Sequence, residues 1–190
     1  MAYVIIVIVL LAIIAPVIAI LPSAKQKAQM QMRKVARSNG VSVELTAIDD
    51  PNPHQQKYLS NTGKPIPPLL KVVAYKLQRR RLSDWRRLAQ IDWSVQRLPR
   101  VDETAQDPFS STWCWLSPCP AEMSIDLQDW IKNQTASLPE DVEKIEELGY
   151  QIAVYWHERT AGSEESVINF LKTCASLPLH QLAEDDNVAG

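Results

Sequence analysis

Residues 2–21, AYVIIVIVLLAIIAPVIAIL, carry no charge and no amide, and nearly every side chain is aliphatic. No other feature constrains the chain as strongly. A helix at the surface of a folded domain shows polar residues on one face, and this run shows no such face. At about 1.5 Å per residue its helix is about 30 Å long, the thickness of a bilayer's hydrocarbon core. The run therefore reads as a transmembrane anchor, assigned to residues 1–22. Pro16 removes one backbone hydrogen bond and kinks the segment, which a membrane helix tolerates. A cleaved signal peptide is the rival reading, with "VIA" at 17–19 as its cleavage site. It asks for a basic leader, and Met1-Ala2-Tyr3 offers only an α-amino group.

The next segment, "AKQKAQMQMRKVARSNG", has the opposite character. Lys25, Lys27, Arg33, Lys34 and Arg37 follow the apolar run with no acid among them. By the positive-inside rule they hold the C-terminal part in the cytoplasm and the N-terminus outside, as in a single-pass protein of the bacterial inner membrane. Ala28, Met32 and Ala36 recur at four-residue spacing, and Asn39-Gly40 supplies a left-handed stop. Residues 23–40 are thus expected to form a basic juxtamembrane helix, over 24–38, continuing from the membrane. Its cations lie where anionic lipid attracts them, and they serve equally well as a topology signal on a solvated stalk. The lipid bilayer is the first expected partner.

The net charge of −2 hides a division. Residues 1–100 hold 16 Lys and Arg against 5 Asp and Glu, and residues 101–190 hold 4 against 17. Either a basic surface lies near the anchor and an acidic one farther off, or both halves build one domain and the charges mix. The three cysteines, Cys114, Cys119 and Cys174, are an odd set that fits reduced thiols in the cytoplasm better than a disulfide framework.

The pattern of the remainder is α+β. "VSVELT" at 41–46 alternates with the period of a half-buried strand, Val41, Val43 and Leu45 inward. Prolines make 49–68 a loop, and "LLKVVAYKL" at 69–77 is apolar on both parities, as a central strand is. A second alternation at 88–96 puts Ala89, Ile91, Trp93 and Val95 on one side, and "STWCWL" at 111–116 is a short strand. Met123, Leu127, Trp130 and Ile131 stripe a helix over 121–134. Residues 139–148 suit a short helix or the first arm of a hairpin, whose second arm is the strand 150–156. A helix over 163–176 carries Val167, Phe170, Leu171 and Cys174 on one stripe, capped by Gly162 or Ser163, with Glu164 and Glu165 in its first turn. The expected fold is therefore a small antiparallel sheet with two or three helices packed on it, spanning 41–177. An acidic flexible tail, 178–190, follows.

Motifs for chemistry are few. Glycines at 40, 63, 149, 162 and 190 cannot supply a dinucleotide fingerprint, a phosphate loop or a nucleophile elbow. Cys114 and Cys119 lack the spacing of a zinc knuckle, and His157-Glu158-Arg159-Thr160-Ala161 puts alanine where a zincin has its second histidine. No metal, cofactor or catalytic residue is assigned. Cys114 with His157 is the one thiol–base pairing to weigh, and it requires their strands to be neighbours. Trp113 and Trp115 share a strand face and read as core, with a stacking platform as the other reading. "LQRRRLSDWRRL", 77–88, is the candidate partner surface through Arg79, Arg80, Arg81, Trp85, Arg86 and Arg87. A protein or membrane surface suits it better than nucleic acid.

The layout of one outward-facing N-terminus, one span and "LPSAKQKAQMQM" resembles the YajC family, the accessory subunit of the Sec preprotein translocase. After Gly40 the chain departs from that family. With its "LPEDV" and "VYWHER" segments the whole is similar to uncharacterised proteobacterial single-pass inner-membrane proteins. The resemblance implies a setting without an activity. The expectation is a membrane-anchored, non-enzymatic adaptor that recruits a protein partner. The alternatives are an accessory subunit of a membrane machine and a membrane-tethered enzyme using Cys114 or His157.

Overall fold

The computed structural model describes Tyr3 and residues 22–80, 90–98 and 108–180. The run assigned as an anchor lies outside these residues except at Tyr3 and Pro22, as do 81–89, 99–107 and 181–190. No helix among the described residues is long and apolar enough to cross a membrane.

Six strands form one antiparallel sheet. They are β1 (Ser42–Asp49), β2 (Leu69–Gln78), β3 (Trp93–Arg97), β4 (Trp113–Trp115), β5 (Val142–Leu148) and β6 (Gln151–Trp156), in the spatial order β1-β2-β6-β5-β3-β4. Among the described residues three helices pack with the sheet: α1 (Ala24–Ser38), α2 (Ile125–Gln134) and α3 (Glu164–Ser176). The α+β expectation holds. β6 inserts between β2 and β5, so the basic and acidic halves of the chain are stitched through the middle of one sheet and their charges mix.

Each element has a local cause. α1 starts at Ser23, whose hydroxyl accepts from the Gln26 amide while the Gln26 side chain accepts from the Ser23 amide. This reciprocal capping satisfies two orphan donors at once. The expectation that α1 continues a preceding helix is thereby corrected: at Ser23 the backbone is extended, with φ −60° and ψ 161°. α1 ends as its sequence promises. Gly40 has φ +79°, its amide donates to the Arg37 carbonyl, and the Val41 amide donates to the Ala36 carbonyl, the paired bonds of a Schellman stop. β5 and β6 are joined through Gly149 and Tyr150, both with positive φ, the backbone signature of a type I′ turn. The hairpin reading of 139–148 is therefore the correct one. In α2 the Ser124 hydroxyl caps the Leu127 amide. Ser163 stands at the N-cap of α3 but makes no capping bond, and its hydroxyl donates to the Thr160 carbonyl instead.

One face of the sheet carries the core. Val73, Tyr75, Trp93, Val95, Trp113, Trp115, Val142, Ile145, Ile152, Val154 and Trp156 point to it, and Met32, Ala36, Leu127, Ile131, Val167, Phe170, Leu171 and Cys174 descend from the helices. Trp113 and Trp115 are core side chains here, not a stacking platform. Trp93 meets Trp115 edge-on at 6.3 Å, and Tyr75 meets Trp156 at 5.1 Å, geometries that aromatic quadrupoles favour. The other face bears a smaller apolar strip, Val72, Ala74, Ala153 and Tyr155, between the ion pairs Lys76–Glu44 and Lys144–Glu146.

Three expectations are corrected. Leu45, read as inward, is 69% exposed, because β1 is an edge strand. Of the strand expected at 88–96, residues 90–92 are not strand and β3 begins at Trp93, although Ile91 is buried where its parity places it; 88 and 89 lie outside the described residues. The segment 178–180, placed in an acidic tail, is docked: Ser124 donates to the carbonyls of Leu179 through its amide and Pro178 through its hydroxyl, and Leu179 is buried. Residues 181–190 lie outside the described chain.

Candidate functional site

Beyond ion pairs such as Lys76–Glu44 and Lys144–Glu146, three charged constellations among the described residues are candidates for a site. The deepest is centred on Arg79. The residue follows β2 directly, and its guanidinium reaches across β6 to Glu147 on β5, with Nε to Oε1 at 2.6 Å and Nη2 to Oε2 at 2.7 Å. The Trp93 indole donates to the same carboxylate at 3.0 Å, and Arg79 Nη1 donates to the carbonyls of Cys174 and Leu177 at the end of α3. Arg79 is 5% exposed and Glu147 is fully buried. A buried pair is tolerable only when its remaining donors and acceptors are also satisfied, and here they are.

This overturns one part of the candidate partner surface. Arg79 belongs to the interior, because the core supplies its carboxylate and two helix-terminal carbonyls. Arg80 is exposed, and Arg81, Trp85, Arg86 and Arg87 lie outside the described residues. Cys174 lies beside this group, its sulfur 3.8 Å from Arg79 Nη2. Burial pushes its thiol up to about 12, against the pull of Arg79. His180, near the same pair, is lowered by burial.

The second constellation joins α1 to the sheet. Glu158 follows β6 in a left-handed conformation, φ +51°, and is buried. Its carboxylate accepts from Arg33 Nε at 2.9 Å and from the Tyr75 hydroxyl at 2.9 Å, and Arg33 Nη2 closes the fork. Burial, then the Glu158 charge, raises the Tyr75 hydroxyl, so it remains a donor. Of the five basic residues after the apolar run, Arg33 alone turns inward. Lys25, Lys27, Lys34 and Arg37 are exposed.

The third lies at the end of the sheet where β1, β3 and β6 finish and β2 and β5 begin. A cleft of about 410 Å³ opens there, lined by Asp50, Lys57, Arg97, Glu143, His157 and Arg159 among others. Asp50 organises one wall: the Asn52 amide, Lys57 Nζ and the Tyr58 hydroxyl all donate to it. Burial pushes its carboxyl up, and the bonds from Tyr58, Lys57 and Asn52 outweigh burial, leaving it below its ordinary value. Arg97 on the opposite wall donates to the carbonyls of Val142 and Pro139 at 2.6 and 2.9 Å and lies 5.0 Å from the Trp113 ring. His157 Nε2 stands 3.4 Å from Glu143 Oε1. Charges of both signs line the cleft, an arrangement that fits a polar segment with its own positive and negative groups.

The Cys114–His157 pairing does not form. Cys114 is on β4 and His157 follows β6, with β5 and β3 between them, a separation of about 14 Å at about 4.8 Å per strand step. Cys114 is buried, its sulfur 3.7 Å from the Gln96 carbonyl. None of the three cysteines is in a disulfide, and no group of three His, Cys, Asp or Glu among the described residues is placed to hold a metal ion.

Glu147 and Asp50 went unread in the sequence, and Glu158 was read only within the zincin-like run 157–161. Glu147 left one usable trace: in a strand read as 142–148 it shares the parity of Ile145, a core position. Glu158 and Asp50 sit just outside strands, and nothing in their local pattern marks them. Comparison with protein-family models, characterised proteins and solved structures gives no match for this chain.

Proposed function

We propose that this chain is a membrane-anchored, non-enzymatic adaptor. Residues 1–22 span the bacterial inner membrane once, and the α+β domain faces the cytoplasm to recruit a protein partner. The observation that carries the reading is the Arg33–Glu158–Tyr75 clamp. It ties the first helix after the apolar run to the sheet, so whatever orients α1 orients the whole domain. A domain on a loose tether has no use for a buried ion pair at its mount. The mixed-sign cleft is the recognition surface the geometry offers, and cysteines outside any disulfide fit a reducing compartment.

An accessory role in a membrane machine such as the preprotein translocase is the second reading, supported by the layout of the first forty residues alone. The tethered-enzyme reading draws nothing from the separation of Cys114 and His157 across the sheet. The test is affinity capture from gently solubilised membranes, with the full chain beside a form lacking residues 1–22. A partner held by both forms, and lost on Glu143→Arg or Arg159→Glu, supports the adaptor. A partner lost with residues 1–22 moves recognition to the apolar run and favours the accessory reading. Full-length protein recovered in the soluble fraction of cells overturns the anchored premise of both.

A further inference from the structure

Residues 24–38 contain no acid, and the fold sorts their cations sharply. Arg33 is drawn in to Glu158, on the side of α1 where Met32 and Ala36 are buried. Lys27, Met30, Lys34 and Arg37 follow at the three- and four-residue spacing of a single helix face, and all are exposed. Among the described residues none of the three cations is paired with a carboxylate. From Lys27 to Arg37 the row runs about 15 Å along the axis, rather than gathering at one end. Met30, 62% exposed, sits within it. Beside α1, the outer side of α3 presents Glu165 and Lys172, which cancel, so the cationic character belongs to α1.

The start of the helix matters as much as its face. Because Ser23 is extended and begins a new capped helix, the axis of α1 need not follow the direction of the chain before it. We propose that α1 lies along the surface of an anionic membrane, with Lys27, Lys34 and Arg37 against phospholipid phosphates and Met30 seated among the headgroups. Cations close to a bilayer are each attracted to anionic lipid, and the three here share one face with Met30 among them. The Arg33 clamp then transmits that orientation to the sheet. This inference rests on the anchored reading above and adds to it: the domain lies against the bilayer instead of standing off on a stalk.

The test is lysine footprinting with a water-soluble acetylating reagent, read by mass spectrometry, on full-length protein reconstituted into two kinds of vesicle. One is phosphatidylcholine alone; the other carries about one-third phosphatidylglycerol, enough to attract a basic helix. The expected result is several-fold slower modification of Lys27 and Lys34 in the anionic vesicles, with exposed Lys64 unchanged and the difference abolished by high salt. Flotation with both vesicles but equal reactivity of Lys27, Lys34 and Lys64 overturns the inference and leaves the anchor standing. Failure to float with either vesicle overturns both. Protection that is equal in the two lipids and rises with protein concentration assigns the face to a second copy, and also overturns it.

Discussion

Arg79 and Glu147 form a two-pronged ion pair inside the core, at 2.6 and 2.7 Å, across a strand that separates them. Both partners are hidden from water, so removing either leaves a charge with nowhere to go. Arg79→Met or Glu147→Leu alone is expected to cost about 3–5 kcal/mol, whereas the double replacement costs much less than their sum. Urea unfolding of the four species measures this. Additive losses would mean that the two side chains are not coupled.

The clamp on α1 gives a second, local expectation. Tyr75→Phe keeps the ring against Trp156 but removes one donor to Glu158, at about 1–2 kcal/mol, and Arg33→Ala removes the stronger charged fork. Amide hydrogen exchange is then expected to rise in α1 before it rises in β2 or β6. Uniform acceleration over the whole domain would show that α1 is not a separable unit.

Thiol accessibility follows burial. Cys114 and Cys174 are buried and Cys119 is only partly so. A maleimide is expected to label Cys119 first in the native protein and all three after unfolding. Burial also sets a pH dependence. The folded chain holds the Cys174 proton to about 12, and the unfolded chain releases it near 9.0. Between those values the unfolded state binds fewer protons, so stability falls as pH rises from 9.0 towards 12. Cys174→Ala is expected to reduce that slope in urea titrations at successive alkaline pH, leaving the shares of Tyr75 and Tyr155, whose hydroxyls burial also raises.

Asp50 works in the opposite direction. Its carboxyl is held below its ordinary value of 3.8 by its three donors, against burial. The unfolded state therefore takes up the proton first as acid is added, and the contribution of Asp50, present above 3.8, is lost as pH falls through its lowered native value. Asp50→Asn is expected to flatten the acid limb of the stability profile and to loosen the cleft wall formed by Lys57 and Tyr58.

Gly40 isolates a backbone effect. At φ +79° an added Cβ meets nothing within 4 Å, so Gly40→Ala tests conformational strain without a clash. The expected cost is about 1 kcal/mol, seen as a small shift in thermal midpoint. A loss several times larger would mean that the Schellman stop does more than reverse the chain.

What the sequence determined by itself is local. Periodicity placed α1 over 24–38 and Asn39-Gly40 marked its end, while the Ser23 cap that starts it went unread; β2, β6 and α3 were found within a residue or two. The alternation around Trp93, Trp113 and Trp115 marked core positions, since each side chain was large and apolar on one parity. Tertiary structure decided everything that depends on neighbours in space. Leu45 follows the inward pattern and yet faces solvent, because β1 is the edge strand of the sheet. Arg79 stands in a run of arginines that reads as surface and yet is buried, because Glu147, sixty-eight residues away, meets it there. Arg33 and Lys34 are neighbours in one basic run; the helix turns Arg33 towards the side of Met32 and Ala36, and Glu158 beyond β6 makes it an inward clamp while Lys34 stays an outward charge. Pattern records whether a residue suits water or a core; which charge finds a partner is settled by the order of strands, and that order appears only when the chain is folded.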